Sequence, residues 1–541
     1  MRTKQVVLFF MLFVFTSYSL TVDAQKKDKV QMMKISVQKR VPSDLGGGAY
    51  MVVNEIQQWN PKETAIIICD MWNQHWCKGA TARVAEMAPI LNNVVSLARE
   101  KGVLIVHAPS SCMPYYENHP ARKLAQKYNN KKNQVFAGKA DLLDTEKGGV
   151  WPINQEDGGC DCAIECKQRN AWERQIDAIE IKNLDAITDS GVEAAGLFQA
   201  KGIKNVILMG VHENMCVINR PFALRSMVRL GMNAVVMRDL TDAMYDSKEW
   251  PVVSHFTGNS LMTEYIETYI APSIVSSVFT GQKQFRFKED KRPIVAFVIA
   301  DNEYHANQTL PQFAHDLLLT KGVNCEFALG KPVATGEGVH NIENLQILND
   351  ADLAVIFVRR RALPAEQMSL IKEYVKSGKP VLGIRTASHA FDAQKTVPHE
   401  GGSVVAATGQ VPEVLAQWPE FDKDILGGNY QGHYGNMKEG IVFSVVPGME
   451  NHPIVKGVSP DGFTGPVAPS ESLYKNRPLR SENIEVLLLG TIPGQPAEPV
   501  LWINNLERGK VIYTSLGHWD HWKINDFHTL MLNSVGYLLK K

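Results

Sequence analysis

The sequence has no excess charge of either sign: Lys+Arg and Asp+Glu number 57 each in 541 residues. Nothing electrostatic therefore favours nucleic acid or an anionic membrane surface as a partner. Past its first 25 residues it lacks any apolar run near the roughly 20 residues that a membrane span needs. It has no repeat relating its two halves. No cysteine lies near residue 25, so lipidation there has no acceptor.

The first 25 residues themselves read as a secretory signal. Arg2 and Lys4 form a positive start, Val6 to Phe15 is almost wholly apolar, and Val22-Asp23-Ala24 precedes Gln25 as a cleavage site. An uncleaved N-terminal anchor is the other reading. The expected product is exported, periplasmic or secreted, with no membrane segment after cleavage. Export bears on the eight cysteines, because thiols in an oxidising compartment tend to pair. Cys160, Cys162 and Cys166 cluster, with Cys77 and Cys112 upstream. Disulfides among them are the first expectation. A structural zinc is the second, short of a ligand because a tetrahedral thiolate site needs four and the cluster shows three. Unpaired surface cysteines are the third.

A chain of this length exceeds one core at about 100–200 residues per domain. Residues 26–60 read as a linker or extension. From 61 to 280 short apolar runs alternate with helical patterns: strands at Ala65 to Cys69, Val103 to His107, Ala178 to Ile181, Val206 to Met209 and Ala234 to Met237, and helices at Ala82 to Lys101, Gly191 to Lys201 and Met215 to Leu230. Residues 110–175, with Trp151, Trp172 and the cysteine cluster, break this rhythm as an insertion. Long ordered loops of this kind tend to be functional lids. Residues 281–292 are charged, without period, and read as a linker. A second series, 293–541, has strands at Ile294 to Ile299, Leu353 to Val358, Pro380 to Gly383 and Val511 to Thr514, and a helix at Gln367 to Lys376. The pattern predicts two doubly wound α/β domains in tandem, Rossmann-like or flavodoxin-like with parallel sheets.

Open parallel sheets bind ligands outside the carboxyl ends of their strands. Asp70 ends the IIICD run, Lys182 ends IEIK, and Cys216 follows VILMG where a helix is expected to begin. A helix N-terminus and a nearby lysine favour a thiolate, and an aspartate can take its proton. Singly, each has a plainer role: a small core cysteine, a helix cap, a solvated lysine.

The ordered set IIICDMWNQ, IEIKNLDAITDSG and NVILMGVHENMCV resembles the isochorismatase-like cysteine hydrolase superfamily, which includes nicotinamidases and carbamoylsarcosine-type amidases. The resemblance covers about 210 residues and implies a six-stranded parallel sheet, with Asp70, Lys182 and Cys216 catalytic. It also implies a cis peptide at Val211-His212, with backbone N–H groups there and at Cys216 holding the oxyanion. The stretch HAPSSCMPYYENHP lacks the D-x-H of a nicotinamidase metal site, so no metal is assigned. His75, His107, His119 and His212 read as structural. A cysteine at 216 favours C–N bond hydrolysis over vinyl-ether hydrolysis.

The pieces VLGIRTASHAF, GGNYQGHYG, NHPIVKGV, PVLWINNLERGKVIY and SLGHW resemble the ThuA-like, trehalose-utilisation family, a branch of the class I glutamine-amidotransferase-like fold. Arg385 stands where the family elbow carries a cysteine, which argues against glutaminase chemistry, and Cys325 reads as core. His305, Arg385, His389, His433 and His518 are candidates for a sugar-sized pocket; satisfied or surface histidines are the plainer reading. Together the expectation is an exported amidase-type hydrolase acting on a small molecule, with a sugar derivative among the candidates and a carbohydrate-related module attached. The alternative is a carbohydrate-binding or sugar-modifying protein whose main role lies in the second domain. No cofactor is assigned, a divalent metal in either domain stays open, and so does homo-oligomerisation.

Overall fold

The computed structural model describes residues 31–44, 49–301, 303–333, 338–393, 415–436, 441–460 and 472–540, with 397–398, 404–405 and 463. The signal-like stretch 1–25 lies outside the described residues.

Two long strands open the described chain, Met33–Pro42 (β1) and Tyr50–Trp59 (β2), paired as an antiparallel hairpin. There follow Thr64–Cys69 (β3), helix Lys78–Lys101 (α1), Leu104–Ala108 (β4), helix Pro120–Gln126 (α2), Ala186–Ile187 (β5) and helix Gly191–Lys201 (α3). Asn205–Val211 (β6), the short helices Cys216–Asn219 (α4) and Leu224–Arg229 (α5), Asn233–Asp242 (β7), helix His255–Tyr269 (α6) and Ser273–Ile274 (β8) complete the first unit. Its sheet runs β2-β1-β8-β7-β6-β3-β4-β5. The six strands from β8 to β5 are parallel, and the hairpin joins antiparallel at the β8 edge. Every residue of β3 is buried, as a strand covered by helices on both faces requires.

The second sheet has five parallel strands in the order Asn324–Gly330, Ile294–Ala300, Leu353–Val358, Val381–Ile384 and Lys510–Thr514. Antiparallel strands extend it: Ile342–Glu343 at one edge, and Glu498–Asn505, Ile484–Thr491 and Val442–Val445 at the other. Both sheets are α/β as expected, and these antiparallel edges are an addition. Trp502 is fully buried here, with its Nε1 donating to the Leu426 carbonyl at 2.7 Å and its ring 4.7 Å from that of Tyr513. Trp502→Ala is expected to cost about 3–5 kcal/mol, from lost packing and a stranded carbonyl, measured as a lower urea midpoint.

The two units pack together. Val52 of β2 joins the second core, His315 Nδ1 pairs with Glu264 at 2.6 Å, and Arg238 with Glu326 at 3.2 Å. The connecting stretch is no exposed tether, because Phe287 is buried and stacks on Phe256 at 5.6 Å. Residues 110–175 hold α2 and 3-10 turns but, among the described residues, no strand.

Two expected elements differ. The strand read at Ala178 to Ile181 is absent, and the pairing segment is β5, with Ala186 opposite Val106. The helix read over Met215 to Leu230 is broken after Asn219. Pro221 is the cause, since the residue before a proline is pushed out of the helical region; Arg220 sits at φ −57, ψ 154. No helix among the described residues is long and apolar enough to cross a membrane.

Candidate active site

β3 and β6 are neighbours, with Cys69 opposite Gly210. A Cβ on Gly210 would lie 2.1 Å from the Cys69 carbonyl oxygen, so only glycine allows this approach. The chain leaves β3 through Asp70, whose φ is +47, and leaves β6 through the cis peptide Val211-His212. These turns bring Asp70 and Cys216 together at the carboxyl ends of two adjacent strands.

Asp70 is fully buried and accepts from the Ser110 N–H at 2.7 Å and from Arg220 Nε at 2.9 Å. The Cys216 side chain lies beside this carboxyl and also lowers it. Burial raises the Asp70 carboxyl above its ordinary 3.8, against the lowering by Arg220 and by these hydrogen bonds. Burial, then the Asp70 charge, pushes the Cys216 thiol well up, while Arg220 and the His212 backbone N–H lower it. At rest the proton therefore sits on sulfur with a base in contact. α4 has four residues, too short for its dipole to supply the thiolate stabilisation expected from a long helix.

Lys182 does not join this centre. Its ammonium pairs with Glu180, and its side chain is half exposed. The reason is register: β5 begins four residues after Lys182, so the lysine precedes its strand instead of closing it. The cation at the site is Arg220, turned onto Asp70 by the pre-proline break. The Arg-Pro pair was the legible signal for this, hidden by the reading of one continuous helix.

Aromatic groups wall the site. Trp72 stacks on Trp172 at 4.5 Å, His75 on Trp172 at 5.7 Å, and His75 meets His212 at 4.8 Å. Cys216 packs against the cluster of Trp72, Cys112 and Tyr116, with Met113 and Trp172 beside it. The insertion thus supplies much of the wall. His107 is buried between Gln175 and Asp185, and His119 caps α2. Burial, then His75, lowers His212 well below the ordinary imidazole value. All eight cysteines are free thiols, so the disulfides expected first are not formed.

In the second sheet, Arg385 follows Val381–Ile384 with φ +45. Its guanidinium lies between the rings of Tyr304 and Tyr474, at 4.3 and 4.9 Å, and donates to the Ser515 carbonyl at 2.8 Å. His518 is buried against Tyr304 and Trp519, and exposed His305 meets Trp519 edge-on. His389 stacks on Tyr430 at 4.5 Å.

Residues 331–538 match a family model, ThuA, described as trehalose utilisation. The C-terminal region is ThuA-like. It is similar to a ThuA-like protein from Parabacteroides merdae at 16% identity, covering 46% of this chain and 93% of that one, TM-score 0.31. The N-terminal half is similar to a cysteine hydrolase from Pseudomonas syringae pv. phaseolicola at 14% identity, covering 40% and 91%, TM-score 0.25. It is also similar to the pyrazinamidase of Pyrococcus horikoshii solved with zinc, at 16% identity, covering 39% and 98%, TM-score 0.22. No curated protein matches the chain.

The ThuA-like region has a polar cleft of about 1020 Å³. His389 and His433 line it, with Arg359, Arg360, Asp392 and Asp422. Arg385, His305 and His518, expected in this pocket, do not line it, because packing among the aromatic rings takes them up. Asp422, which no sequence pattern marked, is the unexpected member. Burial pushes its carboxyl up to about 7, with one lowering contribution from the Tyr430 N–H. A carboxyl with a raised folded value binds its proton more tightly when folded. Stability is therefore lost as pH rises from about 4 to about 7 and stays level above. Asp422→Asn keeps an acceptor for Tyr430 and removes that loss. It is expected to stabilise the protein at pH 8 by up to about 4 kcal/mol and hardly at all at pH 4, measured by urea unfolding at both.

Proposed function

We propose that the first sheet carries a cysteine-dependent hydrolase of C–N, amide-type bonds in small molecules. The observation that carries this is the placement of Cys216 beside Asp70, which Arg220 holds at 2.9 Å, just beyond the ends of adjacent strands β3 and β6. In this cycle Asp70 takes the Cys216 proton as sulfur bonds to the acyl carbon. The C–N bond then breaks, and Asp70 passes the proton to the leaving amine. Water attacks the resulting thioester, Asp70 takes its proton, the C–S bond breaks, and Asp70 returns a proton to sulfur. Arg220 keeps Asp70 available as a base, and the His212 N–H steadies the developing thiolate. The wall of Trp72, Trp172, Met113 and Tyr116 supports a flat or apolar acyl group. A panel of small aliphatic and aromatic primary amides tests this, with intact-mass analysis of acid-quenched protein. Turnover with an acyl mass added at Cys216 is expected; no turnover of any amide overturns the reading.

The signal-like first 25 residues support export of the mature chain. Amino-terminal sequencing of the exported protein tests this, with a start near Gln25 expected. A second reading puts the main role in the ThuA-like region, as a sugar-binding or sugar-modifying unit. It is favoured by the polar cleft holding His389 and Asp422. Thermal-shift measurements across a saccharide panel test it, and stabilisation by none of them sinks it.

A further inference from the structure

Four cysteine sulfurs converge away from Cys216. Cys77, Cys160, Cys162 and Cys166 each place Sγ within 4.8 Å of the other three. The Cys77–Cys160 separation is 3.4 Å and Cys77–Cys162 is 3.7 Å. A tetrahedral metal with bonds of about 2.3 Å to sulfur sets its ligands roughly 3.8 Å apart. A disulfide needs about 2.05 Å. An iron–sulfur cluster spreads its thiolates over several irons and holds them further apart. We propose that these four thiolates bind one zinc ion in a closed structural site, independently of the hydrolase reading.

The surroundings suit such a centre. Cys77 and Cys160 are buried, and Cys162 and Cys166 are half-buried. Backbone N–H groups at the start of the 24-residue α1 point at three of the sulfurs: Lys78 at Cys166, 3.5 Å; Gly79 at Cys162, 3.3 Å; Ala80 at Cys77, 3.5 Å. N–H donors to metal-bound thiolates orient them and offset their charge. A Cβ at Gly79 would meet Arg83 Nη1 at 3.2 Å and Cys162 Sγ at 3.3 Å, so a guanidinium stands beside what becomes a dianion. Binding forms four Zn–S bonds, and the four thiol protons leave to solvent.

The site's place gives its role. Cys77 ends the loop that leaves Asp70 and carries Trp72 and His75, while the other three ligands belong to the insertion that carries Trp172. Met215, next to Cys216, packs against the same sulfur cluster. The zinc fastens the insertion onto the active-site loop and so holds the wall that Cys216 faces.

The full chain, equilibrated with zinc under reducing conditions and desalted, is expected to hold one zinc per chain by elemental analysis. Cobalt in its place is expected to give the intense thiolate-to-metal bands of a tetrahedral sulfur site. Cys162→Ser and Cys166→Ser should fall well below one zinc per chain, while Cys112→Ser should keep it. The wild-type stoichiometry and cobalt spectrum decide the matter if a variant does not fold. No bound metal after reconstitution overturns the proposal, as does an iron cluster. So does protein isolated without reductant that has lost these four thiols to disulfides and carries no zinc.

Discussion

Cys216→Ser is expected to lower kcat/KM for amide hydrolysis by roughly 10³-fold or more, because the hydroxyl is a far poorer nucleophile in this setting. Asp70→Asn should cost about 10²–10⁴-fold, the usual contribution of a positioned base. The two effects should not add, since one proton transfer links them. The pH profile carries the sharper signature. Asp70 must be ionised to accept the thiol proton, and burial raises its carboxyl above 3.8. The acid limb of kcat/KM is therefore expected above the ordinary aspartate range, and Asp70→Asn should abolish it. Full activity in Cys216→Ser, measured on the same amides, would remove the thiol from the mechanism.

Arg220→Gln and Lys182→Ala separate two versions of this centre. Arg220 holds Asp70 at 2.9 Å with its side chain 32% exposed, while Lys182 is half exposed against Glu180. Removing one partner of a buried ion pair costs about 3–5 kcal/mol. Discounted for the partial exposure of Arg220, about 2 kcal/mol of folding stability should be lost in Arg220→Gln, read as a lower urea midpoint. Losing the cation also raises the Asp70 carboxyl further, so the acid limb should move to higher pH in Arg220→Gln. Lys182→Ala should stay within about twofold of wild type in kcat/KM, as exposed charges usually do. Steady-state kinetics from pH 4 to 9 checks both variants, and a crippled Lys182→Ala with an unaffected Arg220→Gln would reverse the assignment.

The two departures at this site share a physical origin. Lys182 ends an apolar run, IEIK, that looks like a strand by itself. Whether such a run pairs depends on what lies beside it, and here Ala186–Ile187 takes the place along β4. Four residues of shift place the lysine before the strand, with its ammonium on Glu180. Arg220 takes its role from one local rule, the turn before Pro221, which the helical apolar spacing from Met215 to Leu230 masks. Phe285 and Phe287 are a similar lesson: the charged Arg286 and Lys288 beside them mask an alternation, and Phe287 is buried in the first core.

By itself the sequence determined the alternation of strands and helices in both units, and that Asp70 and Cys216 each lie just beyond a strand end. Those features are local: runs of apolar residues, and an acid and a thiol just beyond strand ends. It also determined the ThuA-like character of the C-terminal region through short ordered motifs. Only the tertiary structure decided which cation meets Asp70, which histidines line the cleft beside Asp422, and that Cys77 completes a set of four sulfurs. Each of these depends on side chains meeting across long separations in the chain, 83 residues between Cys77 and Cys160. Spacing along the sequence does not record such meetings, because the folding of distant segments onto one another brings them about.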